Sequence, residues 1–92
     1  QAHCEYPVSG LIGDRLVDGV IDRTFIDTDG NRWIVDYKTA VPEGETETSF
    51  LDRQQALYRD QLATYASLMK GLEERPIRLG LYFPGIAGWR AW

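Results

Sequence analysis

A single cysteine and a single histidine occur in this sequence, side by side at His3-Cys4. One thiol cannot close an internal disulfide, so nothing argues for secretion. With no second His or Cys, a zinc site built from nitrogen and sulfur ligands is excluded. A catalytic Cys–His couple is poorly served by neighbours on a strand, whose side chains point to opposite faces. Cys4 is therefore expected to be a small packing residue. Serine chemistry fares no better, because the lone imidazole sits at the extreme end. No apolar run approaches the ~18 residues that span a bilayer, so no membrane contact is expected. An excess of positive charge is also missing: 10 Lys and Arg against 14 Asp and Glu give a net charge of −4. That is the opposite of a self-sufficient nucleic-acid grip. It leaves room for a centre whose carboxylates hold a cation while other parts hold a polynucleotide. Finally, Gln1-Ala2-His3-Cys4-Glu5 has neither an initiating Met nor the basic-then-apolar pattern of a leader. The expectation is a cytoplasmic piece of a longer chain.

What is present is ordinary globular composition: 92 residues, 43% hydrophobic and 26% charged, enough for one small domain over 1–92. The first half reads as strands. Glu5 to Val8 is a short candidate, with Pro7 pushing it toward an edge. Ser9-Gly10 and Gly13-Asp14 are turn signals around Leu11-Ile12. Leu16 to Ile26 and Arg32 to Thr39 are rich in β-branched and aromatic residues and are separated by Asp27-Thr28-Asp29-Gly30, which predicts a hairpin. Val41 to Ser49 is polar and acidic, a surface loop. From Phe50 the pattern turns helical, with Leu57, Gln61, Tyr65, Leu68 and Leu72 on one stripe. Tyr58, Leu62, Ala66 and Met69 widen that stripe, and Gly71 and Pro76 end the helix. Ile77 to Phe83 is a further strand, and Gly88 to Trp92 a short strand or edge. The expected fold is α/β: a small mixed sheet, an antiparallel hairpin plus a further strand, packed on one long helix.

Two apolar strands carry charge where apolar residues belong, at Asp22 and at Asp36 and Lys38. Side chains two apart on a strand share a face, so Asp36 and Lys38 point the same way, about 6–7 Å apart. If Thr28-Asp29-Gly30 is a three-residue loop with Gly30 in the left-handed region, counting back along the hairpin sets Asp22 opposite Asp36. Opposed residues have Cβ atoms roughly 4.5–5.5 Å apart, and two like charges there destabilise a fold unless something cationic intervenes. Lys38 compensates one charge. The remaining deficit invites a divalent ion, and hard carboxylate oxygens suit Mg²⁺ or Mn²⁺. The plain alternative is a solvated Asp36–Lys38 pair, with Asp22 paired to Arg23 or Arg32. A register slip of one residue would also send one carboxylate to the other face. On the helix, Gln61 and Tyr65 are neighbours at i and i+4, able to reach a phosphate or to serve as a core anchor with its flanking residue.

Three segments in order, Val17-Asp18-Gly19-Val20-Ile21-Asp22-Arg23, Ile34-Val35-Asp36-Tyr37-Lys38-Thr39 and Gln61-Leu62-Ala63-Thr64-Tyr65-Ala66, resemble the signatures of the RecB-type nucleases of the PD-(D/E)XK superfamily. These are a Gly-x-Ile-Asp strand, an Asp-Tyr-Lys-Thr strand and a Gln-x-x-x-Tyr helix. The ending Leu81-Tyr82-Phe83-Pro84 through Gly88-Trp89-Arg90 is similar to the C-terminal end of helicase–nuclease chains of the exonuclease V β-subunit or AddA type. The resemblance implies an incomplete restriction-endonuclease-like core in a Mg²⁺-dependent DNA exonuclease. Its partners would be DNA, the helicase part of the parent chain and a partner subunit. Asp22, Asp36 and the Tyr37 carbonyl would ligate the metal, Lys38 would position or activate the attacking water, and Gln61 and Tyr65 would order the site and touch DNA. The family carries a further acidic or His ligand upstream, for which Glu5 and, more weakly, His3 are candidates. A non-catalytic relative, kept as a DNA-binding or subunit-docking scaffold, is the alternative that this gap allows.

Overall fold

Asp27 decides where the central hairpin turns. In the computed structural model, which describes residues 2–92 and their side chains from residue 5 onward, Asp27 Oδ1 accepts the backbone N–H groups of Asp29 and Asn31, both at 2.9 Å. Its Oδ2 accepts Trp33 Nε1 at 2.9 Å and Asn31 Nδ2 at 3.1 Å. The Trp33 bond, followed by those from Asn31, holds the Asp27 carboxyl at about 2, well below the usual carboxylate range. Asp27 N–H closes on the Asn31 carbonyl at 2.9 Å, and Gly30 adopts φ +86°. The loop is thus the three-residue Thr28-Asp29-Gly30 with glycine in the left-handed region.

Strand β2 (Arg15–Ile26) and strand β3 (Arg32–Tyr37) leave this turn antiparallel. Strand β1 (Ala2–Ile12) precedes β2 and pairs with it along nearly its whole length. After β3, helix α1 (Glu47–Lys70) crosses the sheet, and β4 (Ile77–Phe83) returns parallel to β3. A 3-10 turn at Pro84–Ile86 then brings β5 (Gly88–Ala91) back antiparallel to β4. The result is a mixed five-stranded sheet in the order β1-β2-β3-β4-β5 with one helix across one face, the expected α/β architecture. Among the described residues no helix is long and apolar enough to cross a membrane.

The core lies between helix and sheet. Ile21, Ile34, Leu81 and Phe83 from the strands meet Phe50, Leu62, Leu68 and Met69 from α1, with the Phe50 and Phe83 rings edge to face at 5.1 Å. Three polar clamps fix how the helix lies. Thr46 Oγ1 caps its start by accepting Ser49 N–H at 3.1 Å. The Arg32 guanidinium grips Glu73 through two bonds of 2.6 and 3.1 Å, tying the helix exit to the start of β3. Arg90 reaches Asp52 and Gln55 at 2.7 and 2.8 Å, tying β5 to the second turn.

Three expectations need correction. Ser9-Gly10 is not a turn: β1 runs through it to Ile12. Glycine there allows a close approach, since a β-carbon at Gly10 would stand 3.1 Å from Leu68 Cδ2 and push that side chain back by a few tenths of an ångström. The helix starts at Glu47 rather than Phe50, because Thr46 supplies the cap. The buried stripe runs through Phe50, Leu51, Gln54, Leu62, Leu68 and Met69, leaving Leu57 and Leu72 more than 60% exposed. Their positions fall beside the strip that the sheet covers. The Cys4 packing role lies outside the described side chains.

On the face opposite the helix, the Trp89 indole lies so close to Gly80 that a β-carbon there would collide with it, within 3 Å of its Cη2, Cζ2 and Cζ3. Trp89 also meets Trp33 at 5.7 Å between centroids, and Trp33 stacks on Phe25. Gly80→Ala must therefore displace Trp89 and loosen β5. We expect a loss of about 1–3 kcal/mol by denaturant unfolding, with little loss from the helix-side substitution Ala63→Ser. An unchanged midpoint for Gly80→Ala would contradict this packing.

Candidate metal centre

The β2–β3 ladder runs from the turn as far as the Arg23–Val35 pair and stops there. In an antiparallel ladder, hydrogen-bonded pairs recur at every second position. Counting from the bonded pair Asp27–Asn31, the next bonded pair after Arg23–Val35 would join Ile21 and Tyr37. That bond is replaced. Tyr37 N–H donates instead to Asp22 Oδ2 at 2.9 Å.

The cause lies in β2 itself. Val17, Gly19 and Ile21 face the helix: Val17 and Ile21 join the core, and Gly19 lies under the Tyr65 ring. Further along, Thr24 is the buried residue, paired with Ile34 of the core and bonded to the Trp33 carbonyl at 2.8 Å. Inward-facing positions therefore change from odd to even between Ile21 and Thr24. The partner strand registers the same break, for Glu5, across from Asp22 between the pairs Cys4–Arg23 and Tyr6–Ile21, adopts φ +53°. Asp22, two residues from Thr24, keeps the side of Thr24, Ile34 and Asp36, and the break lets the adjacent Ile21 face the core as well. Beyond it, β3 stays attached to β4, with Lys38 N–H bonded to the Tyr82 carbonyl at 2.9 Å.

Asp36 is 93% buried, its exposure being 7%. Its Oδ2 lies 2.8 Å from Lys38 Nζ, a close ion pair that favours the charged carboxylate. The Asp22 and Asp36 carboxyls are close enough to share a hydrogen bond. Burial first, and then the neighbouring Asp22, push the Asp36 carboxyl up to about 6. The bond from Asp36 lowers Asp22; burial opposes this, while Tyr37 N–H and Lys38 reinforce it. For Lys38, burial works against the ammonium, but Asp36 outweighs it and the group stays charged above its ordinary range. Below about pH 6 the pair holds one proton between two acids. Above it, two carboxylates face one ammonium.

These donors fit a hard divalent cation: two carboxylates, one of them buried, converge beside a single ammonium. Next to Asp36 in sequence is Tyr37, whose N–H already anchors Asp22. Among the described residues no cluster of three or more His, Cys, Asp or Glu could hold a metal. Glu5 is aligned with Asp22 but is exposed, and the His3 side chain lies outside the described residues.

The described contacts of Gln61 and Tyr65 run to each other and to β2, not to the carboxylates. Gln61 Nε2 donates to Tyr65 Oη at 3.2 Å. A β-carbon at Gly19 would stand 2.6 Å from Tyr65 Cε1, so glycine there lets the ring lie on the strand three residues before Asp22. One contact escaped the sequence reading. The Lys38 ammonium stands 3.9 Å above the centre of the Tyr58 ring. Tyr58 precedes Tyr65 by two helical turns, a spacing that could have flagged it, but it read as part of the apolar stripe. One turn before it, Gln54 is buried with an unpartnered Oε1.

Comparison with protein families matches residues 2–88 to the PD-(D/E)XK nuclease superfamily. Comparison with curated proteins gives no match.

The charge balance predicts a pH signature in metal-free protein. Asp36 ionises near 3.8 when unconstrained and at about 6 in the fold, so its contribution to stability is complete below 3.8 and is lost as pH rises through about 6. Asp22, shifted down, contributes oppositely, losing its share as pH falls below its ordinary range. Asp36→Asn removes the unfavourable charge. Its melting temperature without metal should exceed wild type at pH 8, by up to about 3 kcal/mol in stability, and the gap should close toward pH 4. A less stable Asn variant at pH 8 would contradict the assignment.

Proposed function

Because the chain belongs to the PD-(D/E)XK nuclease superfamily, we propose that it is the core of a metal-dependent DNA exonuclease domain in a recombination or repair helicase–nuclease. The observation that carries this reading is the convergence of Asp22 and Asp36 beside Lys38, where the ladder between β2 and β3 ends. The reaction is hydrolysis of a phosphodiester bond by in-line attack of water.

Asp22 and Asp36, with the Tyr37 carbonyl, would hold Mg²⁺ or Mn²⁺. When bound, the ion supplies Lewis-acid stabilisation of phosphoryl charge and a more acidic water. The chain's own groups prepare for this. Tyr37 N–H fixes the Asp22 carboxylate in one orientation, so little reorganisation is needed when a ligand arrives. Burial keeps Asp36 poorly solvated and in need of a cation. Lys38 stands against Asp36 with its charge retained, poised to orient the attacking water and to meet charge on the scissile phosphate. Gln61 lies exposed on α1 beside Tyr65, and this amide–phenol pair would contact the DNA backbone. The chain's net charge of −4 supports a reading in which most of the grip on DNA would come from the helicase part of the parent or from a partner subunit.

One observation favours a second reading, a non-catalytic DNA-binding or docking scaffold that keeps the nuclease fold. The described residues supply two clustered carboxylates and no third. Two measurements separate the readings. Under the nuclease reading, millimolar Mg²⁺ or Mn²⁺ raises the melting temperature, by a gain of about 1.4 kcal/mol at ten times Kd, and Asp36→Ala abolishes the rise. In the full-length parent, Lys38→Ala lowers metal-dependent cleavage on the order of 10²-fold with DNA binding retained. DNA binding without metal-dependent cleavage, indifferent to Lys38→Ala, supports the scaffold instead.

A further inference from the structure

Lysine is a flexible way to deliver a charge. Its four-carbon stem has many rotamers, and its ammonium is a point charge with no preferred plane of bonding. At Lys38 the obvious anchor is Asp36, 2.8 Å away. That contact is an ion pair with one carboxylate. Asp36 is also the group that would turn toward a cation, and a second contact is then required to keep the ammonium in place.

The ring of Tyr58 meets that requirement. The Lys38 ammonium is 3.9 Å from its centroid, over the face where the ring quadrupole attracts positive charge. Tyr58 is itself held, because it packs against the core cluster from the middle of α1. The helix is fixed at both ends, by Arg90 on Asp52 and Gln55 and by Arg32 on Glu73. The ring is therefore a rigid wall belonging to the helix, while Asp36 belongs to the sheet. Between them they define one position for the ammonium, at 22% side-chain exposure.

We propose that Tyr58 is a positioning residue whose ring face holds the Lys38 ammonium against Asp36. The consequence for catalysis rests on the nuclease reading above; the contact itself does not. Two features distinguish the idea from simple packing. A leucine at 58 would keep apolar contact with the core but offers no charged-face attraction. A phenylalanine would keep the face and lose only the hydroxyl.

The test follows the ε-methylene protons of Lys38 by NMR, with Lys70, the one other lysine in the sequence, as the internal reference. Wild type and Tyr58→Phe should show Lys38 shifted upfield of Lys70 by the ring current, and Tyr58→Leu should lose the shift at similar melting temperature. In the full-length parent, Tyr58→Leu should lower kcat on the order of tenfold with KM for DNA nearly constant. Tyr58→Phe should stay within about twofold of wild type. An upfield Lys38 in folded Tyr58→Leu, or an unshifted Lys38 in wild type, overturns the proposal. So does a Tyr58→Phe variant as impaired as Tyr58→Leu. If the shifts behave as expected while wild-type protein never cleaves, the nuclease reading falls and the ring contact stands.

Discussion

Two carboxylates of the same sign meet across a hairpin, one of them nearly excluded from water, with a single ammonium against the buried one. Like charges opposed on neighbouring strands work against folding, so the rest of the chain is best understood by what keeps Asp22 and Asp36 together. The Asp27 turn sets the register that makes them partners. The break in β2 after Ile21 leaves Asp22 in phase with Thr24, on the side of Asp36, while Ile21 still reaches the core. Tyr37 N–H then takes the carboxylate in place of a ladder partner. Each device costs regular strand pairing at one place, and that place is where the site opens.

The helix side answers the same constraint. Thr46, Arg32 with Glu73, and Arg90 with Asp52 and Gln55 fix the axial and rotational setting of α1. That setting puts Tyr58 over Lys38 and Tyr65 over Gly19. Tyr65 presses on the strand that carries Asp22, and Tyr58 presses on the residue that follows β3. The helix thus reaches both acid-bearing strands through aromatic rings, with the apolar core of Phe50, Leu62 and Phe83 beneath. An acidic chain with such a centre is suited to supplying the reacting groups and not the electrostatic grip on a polynucleotide.

Most of this was legible in the sequence wherever one residue type had one job. Asp27 to Gly30 announced the hairpin, and its loop length set the register observed from Ile26–Arg32 to Arg23–Val35, whose continuation aligns Asp22 with Asp36. The strand from Ile77 to Phe83 stood out by composition and proved correct to the residue. The failures have a common cause, residues with two readings. Gly10 looked like a turn but makes room for Leu68. Leu57 looked like core but lies outside the covered strip. Tyr58 looked like packing and also faces a charge. The break at Asp22 had no local signal, because it depends on Ile21 and Thr24 being claimed by different parts of the fold.

The central claim is that Asp22 and Asp36 form one cation-binding pair at the end of the β2–β3 ladder. Titration with substoichiometric Mn²⁺, read by paramagnetic broadening of backbone amide signals, tests it directly. The account predicts saturable broadening centred on the amides of Asp22, Asp36, Tyr37 and Lys38. Broadening centred instead on Glu43, Glu45 and Glu47 of the acidic loop and helix start, or no saturable broadening anywhere, would contradict it.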